Sequence, residues 1–321
     1  MIVVTGGAGF IGSAYVEKLN REGIDDILVV DHLGTGEKWK NLVHKNFRSM
    51  IDKESFLYGL DDGTFDGQLE TIVHLGACSS TTERNADYLF ENNYQYSVQV
   101  ANYCVANGVR LVYASSAATY GAGECGYDDT VFDTLRPLNM YGFSKHLFDQ
   151  WVLRNGFENR MCGLKFFNVF GPNEYHKDSM ASMVFKSYSQ IKETGSVRLF
   201  RSHSSEYSDG GQQRDFIYVK DVCDVLWKIQ CDSSVNGIFN LGTGAARSWN
   251  DLIRAVFAAM NVPEKIEYVD MPDALRNQYQ NYTQASMSRL QSTSAAHTFQ
   301  SLEESVSDYV SRYLSQSWSY L

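Results

Sequence analysis

Tyr141 and Lys145 stand four residues apart in Tyr141-Gly142-Phe143-Ser144-Lys145, so on a helix their side chains share one face. A phenol with an ordinary pKa of about 10 is a poor base at neutral pH, and a neighbouring ammonium stabilises its phenolate. The same lysine can hydrogen-bond a nicotinamide ribose while the tyrosine takes a proton from a sugar hydroxyl as hydride leaves its carbon. With 20 tyrosines in the chain this spacing arises readily by chance, and Tyr188–Lys192 repeats it on what reads as an ordinary amphipathic helix. Context separates the two pairs. The run from Tyr113 to Gly121 reads as the carboxyl end of a strand, where open α/β sheets bind their ligands. Ser116 in that run is suited to orient the reacting hydroxyl and share its proton with Tyr141.

A second constellation lies at the start of the chain. Gly6-Gly7-Ala8-Gly9-Phe10-Ile11-Gly12 places Gly6, Gly9 and Gly12 between an apolar strand and a helix. A sharp turn, a backbone close to a pyrophosphate and tight packing of helix on sheet all require glycine, and the helix N-terminus adds N–H donors. Asp31 follows nineteen residues after Gly12, at the end of Asp26-Ile27-Leu28-Val29-Val30, where an acidic residue meets an adenosine ribose. Dinucleotide binding is the reading. Asp31 alone favours NAD; Lys38 and Lys53 would balance the 2′-phosphate of NADP or be plain surface lysines, and charge alone leaves both open.

These residues need a scaffold. Ile2–Val4, Ile27–Val30, Thr71–His74, Arg110–Ala114 and Gly163–Phe167 read as buried strands, short and nearly continuous in apolar character. Helical stretches lie between them at Ile11–Glu22, Asn85–Asn107 and Tyr141–Asn155. This alternation implies βαβ units and a parallel sheet: an α/β, Rossmann-type doubly wound fold. The less regular second half carries strands at Ile217–Val219 and Ile238–Leu241, helices near Val222–Gln230 and Asp251–Met260, and a polar loop over Ser202–Gln213. The expected division is a dinucleotide-binding domain over residues 1–167, to which 214–244 return, and a smaller substrate domain from 168–213 and 245–321.

At 321 residues with 44% hydrophobic and 21% charged content, the chain has the composition of a globular enzyme. Its net charge of −10 and lack of a basic run argue against nucleic acid. No apolar stretch approaches a membrane span, and the opening strand is not a signal peptide, so a cytoplasmic protein is expected. Six scattered cysteines without a C-x-x-C pair, and seven histidines without ligand spacing, point to reduced thiols and no metal.

With these residues in view, the sequence resembles the extended short-chain dehydrogenases/reductases of the NAD-dependent epimerase/dehydratase family. Within them it is most similar to the branch that epimerises C6 of an ADP-linked heptose for lipopolysaccharide core assembly. Local strings carry the resemblance, from Met1 to about Leu290: Gly76-Ala77-Cys78-Ser79-Ser80-Thr81-Thr82-Glu83, Asn92-Asn93-Tyr94-Gln95-Tyr96-Ser97, His176-Lys177-Asp178-Ser179-Met180-Ala181-Ser182 and Tyr279-Gln280-Asn281-Tyr282-Thr283-Gln284-Ala285. Arg214–Asp221 and Asn240-Leu241-Gly242-Thr243-Gly244 match second-half patterns.

The resemblance implies tightly held NADP, oxidation at C6 to a ketone and return of the hydride to the opposite face. It makes Tyr141 the first base and Lys177 the second. Against the cofactor it sets Phe10, Ile11, Asp31, His32, Lys38, Lys53, Leu75, Gly76, Ala77, Cys78, Ser79, Asn92, Lys145, Val169 and Lys177, which favours NADP over NAD. Against the nucleotide sugar it sets Ser116, Asn168, Ser179, Lys186, Phe200, Arg201, Ser202, His203, Arg214 and Tyr279; a guanidinium at 214 suits a pyrophosphate. Homo-oligomers, pentamers among them, are implied as well. The chain departs from the pattern with Lys186 in place of a histidine, Phe170 and Asn173 in place of Tyr and Arg, and a longer loop after His203. A 4,6-dehydratase is disfavoured because Ser116-Ala117-Ala118-Thr119 holds no carboxylate. A 4-epimerase or reductase of the same fold would have no need of Lys177 as a base. A non-catalytic dinucleotide sensor could dispense with Tyr141 and Lys145.

Overall fold

Ile2-Val3-Val4-Thr5 is apolar without alternation because the strand it forms is covered on both faces. In the computed structural model, which describes residues 1–272, 276 and 279–321, Ile2 and Val4 enter one hydrophobic core and Val3 another. Strands β1 (Ile2–Thr5), β2 (Ile27–Val30), β3 (Ser49–Ile51), β4 (Thr71–His74), β5 (Arg110–Ser116) and β6 (Met161–Phe166) all pair in parallel. After β7 (Asn168–Phe170), β8 (Val197–Phe200) and β9 (Gln213–Tyr218), β10 (Gly237–Leu241) joins β6 and completes a seven-stranded sheet of order β3-β2-β1-β4-β5-β6-β10.

Helices cover the two faces. On one side lie α1 (Phe10–Arg21) and, from the second half, a helix at Val219–Cys231. The two are joined by Tyr15 Oη donating to Gln230 at 2.5 Å and by Lys18 Nζ, 2.8 Å from Asp224. On the other side lie α2 (Lys53–Asp61), the helical run from Ala86 to Asn107, and a helix at Met140–Arg154. The 86–107 run is not one regular helix. It comprises α3 (Ala86–Leu89), a π-helical turn at Phe90–Gln95 and α4 (Tyr96–Asn107); the Met140–Arg154 helix is α5.

The sheet changes direction between β1 and β4, whose neighbours were added outward on opposite sides, and a crevice opens above their carboxyl ends. Gly6 turns there with φ +65°, and a Cβ on it would lie 2.7 Å from Gly76 Cα. A Cβ on Gly12 would collide with the Gly6 carbonyl oxygen, so both glycines are sterically required.

The remaining strands build above the crevice. β9 stays out of the main sheet, pairing in parallel with β7 and antiparallel with β11 (Ala246–Ser248); β8 pairs with β12 (Ile266–Val269). The second-half strings are one joint. Buried Asp215 accepts hydrogen bonds from Thr243 N and Oγ1 (both 2.7 Å), Gly244 N (2.9 Å) and Ala285 N (3.0 Å), seating the Gly-Thr-Gly turn on β9. Among the described residues no helix is long and apolar enough to cross a membrane, and all six cysteines are free.

Beneath the crevice Lys165 and Asp149 form a fully buried ion pair at 2.8 Å. Thr119 Oγ1 accepts from the lysine at 2.7 Å, and the carboxylate also accepts from Ser115 Oγ (2.7 Å) and Tyr113 Oη (3.2 Å). Removing one partner strands the other charge in the core. Asp149→Ala is therefore expected to lose about 3–5 kcal/mol in urea unfolding. A loss below about 1 kcal/mol contradicts this reading.

Candidate active site

Asn139 caps α5 by accepting from Gly142 N at 2.8 Å, and this fixes where the helix begins and which way Tyr141 faces. Tyr141, Lys145 and Asp149 then recur at one-turn intervals on the side turned to β5. Lys145 Nζ donates to Ala114 O at 2.9 Å. Burial pushes the Lys145 pKa from 10.5 down to about 8, with the Asp149 charge acting against it. Burial raises the Tyr141 phenol, and a hydrogen bond with Ser116 offsets part of that rise. Ser116 Oγ also accepts from Ala118 N at 3.1 Å, which holds the serine at the strand end. The arrangement is a phenol, an ammonium and a hydroxyl converging on one point.

That point lies in a cavity of about 720 Å³. Its wall holds Gly6, Gly9, Phe10, Ile11, Gly12, Asp31, Lys38 and Leu75 through Ser79. Ser116, Tyr141, Lys145, Asn168, Val169, Lys177, Ser179 and Lys186 line the same space. An adjoining hollow is lined by His32, Lys53 and Asn92 together with Asp31 and Lys38. Asp31 accepts from Ala8 N at 2.9 Å and from Lys38 Nζ at 2.6 Å, while Lys53 Nζ donates to Asn92 Oδ1 at 2.6 Å. Glycines that admit no Cβ, a helix N-terminus and this carboxylate fit a dinucleotide.

The other sequence-predicted residues do not line that wall. Arg214 is buried with its guanidinium 5.6 Å from the Trp249 ring centre and 5.1 Å from that of Tyr279. His203 meets Tyr279 edge-on, 5.9 Å between ring centres. Arg201 is exposed and pairs with Asp209 and Asp270, Ser202 N donates to Asp209, and Phe200 ends β8. Trp249 joins this group to the cavity: it lines the wall and donates from Nε1 to Tyr279 Oη at 2.8 Å.

Several residues of the site went unread in the sequence. Asn93 is fully buried in the π turn; it accepts from Cys78 N (2.8 Å) and donates to Cys78 O (2.9 Å) and Ser144 Oγ (3.1 Å). It thereby ties the Gly-Ala-Cys loop to α5. An Asn-Asn pair midway along an apolar helix was the available signal, because such helices bury amides only where both ends are satisfied. His176, Met183, Phe216 and Trp249 also line the cavity. Lys177 stands on the turn after β7, 5.5 Å from the Phe10 ring centre, and burial lowers its pKa.

The fold and this constellation define a nucleotide-dependent short-chain dehydrogenase/reductase, and the chain belongs to the NAD-dependent epimerase/dehydratase family, whose sequence pattern matches residues 2–242. The cleft is accordingly that of a nicotinamide dinucleotide. The chain is 52% identical over 316 residues to ADP-L-glycero-D-manno-heptose-6-epimerase of Nitratidesulfovibrio vulgaris strain Hildenborough, covering 98% of each protein. It is 45% identical over 332 residues to the protein of the same name from Fusobacterium nucleatum, with both chains covered in full. Among solved structures, Helicobacter pylori ADP-L-glycero-D-manno-heptose-6-epimerase superposes with a TM-score of 0.81 at 28% identity, over 97% of this chain and 95% of that one. Thermus thermophilus UDP-glucose 4-epimerase in complex with NAD superposes at 0.77 with 25% identity, over 96% and 97%.

Lys145 makes the site's electrostatics measurable. Its folded pKa of about 8 lies below the ordinary 10.5, so between these values the unfolded chain binds the extra proton. Its contribution to stability therefore grows as pH rises across that window. Cofactor-free Lys145→Met should lack the growth, giving a flatter difference between unfolding free energies at pH 7.5 and 9.5 than the parent protein. Equal slopes contradict the assignment.

Proposed function

We propose that this protein inverts C6 of the heptose in ADP-D-glycero-β-D-manno-heptose to give ADP-L-glycero-β-D-manno-heptose, with NADP as its resident dinucleotide. One observation carries the reading: the cavity that holds Tyr141, Lys145 and Ser116 also holds Lys177, a second ionisable group on a separate segment. A hydride that leaves and returns through one dinucleotide inverts C6 only if the ketone turns between the two transfers, which carries its oxygen away from Tyr141; Lys177 would meet it there, whereas a 4-epimerase of the same fold relies on the Tyr–Lys pair alone. The names of the relatives matched over full length agree with it.

In this mechanism Tyr141 takes the C6 hydroxyl proton of one epimer, with Ser116 holding that oxygen and Lys145 favouring the phenolate. A dinucleotide held in the cleft would supply hydride transfer from C6 and back to it, with a 6-ketone between the two transfers. Lys177 serves the hydroxyl of the other epimer, and burial, which lowers its pKa, eases release of a proton from its ammonium. Lys38 beside Asp31, and Lys53 on Asn92, would hold the 2′-phosphate of NADP, with His32 at the same end. Asn168, Ser179 and Lys186 would bind the sugar; Arg214 and Tyr279, with Phe200 through His203, would bind the ADP end. Residues 1–167 and 214–244 would form the dinucleotide unit and 168–213 with 245–321 the substrate unit, in a cytoplasmic homo-oligomer.

Purified protein incubated with ADP-D-glycero-β-D-manno-heptose and no added cofactor is expected to invert C6, followed by proton NMR. Tyr141→Phe should be slower by about 10²- to 10⁴-fold while still folded. An unchanged sugar, even after NADP is supplied, sinks the substrate assignment; a Tyr141→Phe variant at full rate sinks the mechanism.

A further inference from the structure

Lys177 stands on a turn that local preference does not explain. Asn173 and Asp178 flank it, both with positive φ (78° and 46°). Asp178, with ψ −117°, lies far from the left-handed helical well and in a region that L side chains rarely occupy. Such a conformation is strained and persists only where the surroundings over-determine it.

Glu174 supplies that over-determination. Its side chain is buried at 1% exposure, and its carboxylate reaches across the turn. Oε1 accepts from Gly171 N at 3.3 Å, just after β7, and from Ser182 Oγ at 2.7 Å. Oε2 accepts from Ser182 N at 2.5 Å, at the start of the helix Met183–Thr194. Both ends of the loop are thus pinned to one side chain, while Glu174 O accepts from Lys177 N at 3.0 Å. Among the described residues Glu174 has no ion-pair partner within 4 Å; the charges that answer its own are the ammonium groups of Lys177 and Lys186, and Lys177 also draws the Glu174 pKa down against the larger effect of burial, which raises it. The reverse holds: Glu174 favours the charged lysine, while burial and Lys186 oppose it. The other groups around the pair are His176 on the same turn, the Phe10 ring from α1, and the phenols of Tyr175 and Tyr309 on the Glu174 side.

We propose that Glu174 is a positioning residue for Lys177, closing the strained turn that carries it and supplying negative charge to its ammonium. This rests on Lys177 being the second proton-handling group. The test therefore includes a readout that needs neither substrate nor dinucleotide: trace labelling of cofactor-free protein with acetic anhydride across pH, with acetylation of Lys177 read by peptide mass spectrometry. In Glu174→Gln the labelling midpoint should move to lower pH, because the charge favouring the ammonium is gone. The new amide N–H groups would also face the Ser182 donors, and kcat for inversion should fall about 10- to 100-fold with KM little changed. Glu174→Asp keeps the charge but shortens the reach, so its midpoint should stay near the parent value while kcat falls; it carries the test if the glutamine variant does not fold. In a Lys177→Ala background Glu174→Gln should add nothing further to the loss. An unmoved midpoint in Glu174→Gln, a Glu174→Asp variant with parental kcat, or losses that multiply in the double variant each overturn the proposal. A shifted midpoint in a protein that fails to invert the heptose would overturn the substrate reading and leave the charge link standing.

Discussion

The site depends on how α5 is fastened to β5. Three side chains at one-turn intervals make the seam: Tyr141 meets Ser116, Lys145 donates to Ala114 O, and Asp149 accepts from Ser115 and Tyr113. A slip of one residue along the helix would rotate all three away together. Lys165 adds the charge that lets Asp149 remain buried, so the lowest link of the seam is electrostatic and the highest is the Tyr141–Ser116 pair. The helix that presents the phenol is thus held by the same strand that presents the hydroxyl.

The crevice above β1 and β4 supplies the other half of the geometry. Gly6 and Gly12 leave no room for a Cβ, and Lys38 donates to Asp31; in the proposed reading these would take the pyrophosphate and the adenosine end. Lys177 lines the same cavity beside Phe10 of α1, and its turn is tied back toward that helix. Asn173 Nδ2 donates to Ser13 Oγ on α1 at 2.9 Å, and Asn41 Nδ2 donates to both Ala8 O and Asn173 O. The glycine-rich turn and the turn bearing Lys177 are therefore one connected piece, although more than 160 residues separate them in sequence.

Much of this was legible in the chain because it is written locally. Strands covered on both faces leave continuous apolar runs, which is why β1, β2, β4, β5 and β6 could be read. The Gly6–Gly12 turn and the Tyr141–Lys145 spacing each need only a few adjacent residues. What escaped depends on distant partners. Ser49-Met50-Ile51 is too short and too exposed to announce β3, and β7 and β11 are short strands that pair only with β9, above the sheet. Ile217–Val219 reads as a strand by β-branching, yet β9 ends at Tyr218 and Val219 starts a helix on the same face as α1. Asn93 and Glu174 act through buried partners that no local pattern specifies. The Phe200–His203 segment stands apart from the cavity wall; His203 meets Tyr279, which accepts from the wall residue Trp249.

In the proposed reaction the same hydride leaves and returns to C6, and Tyr141 and Lys177 handle protons only at oxygen. Inversion run in deuterium oxide, with C6 read by proton NMR, separates this from proton exchange at carbon. Full inversion with the original protium still on C6 is expected. Deuterium at C6 in the product would mean that the carbon itself exchanges a proton with solvent, and would contradict the proposed reaction.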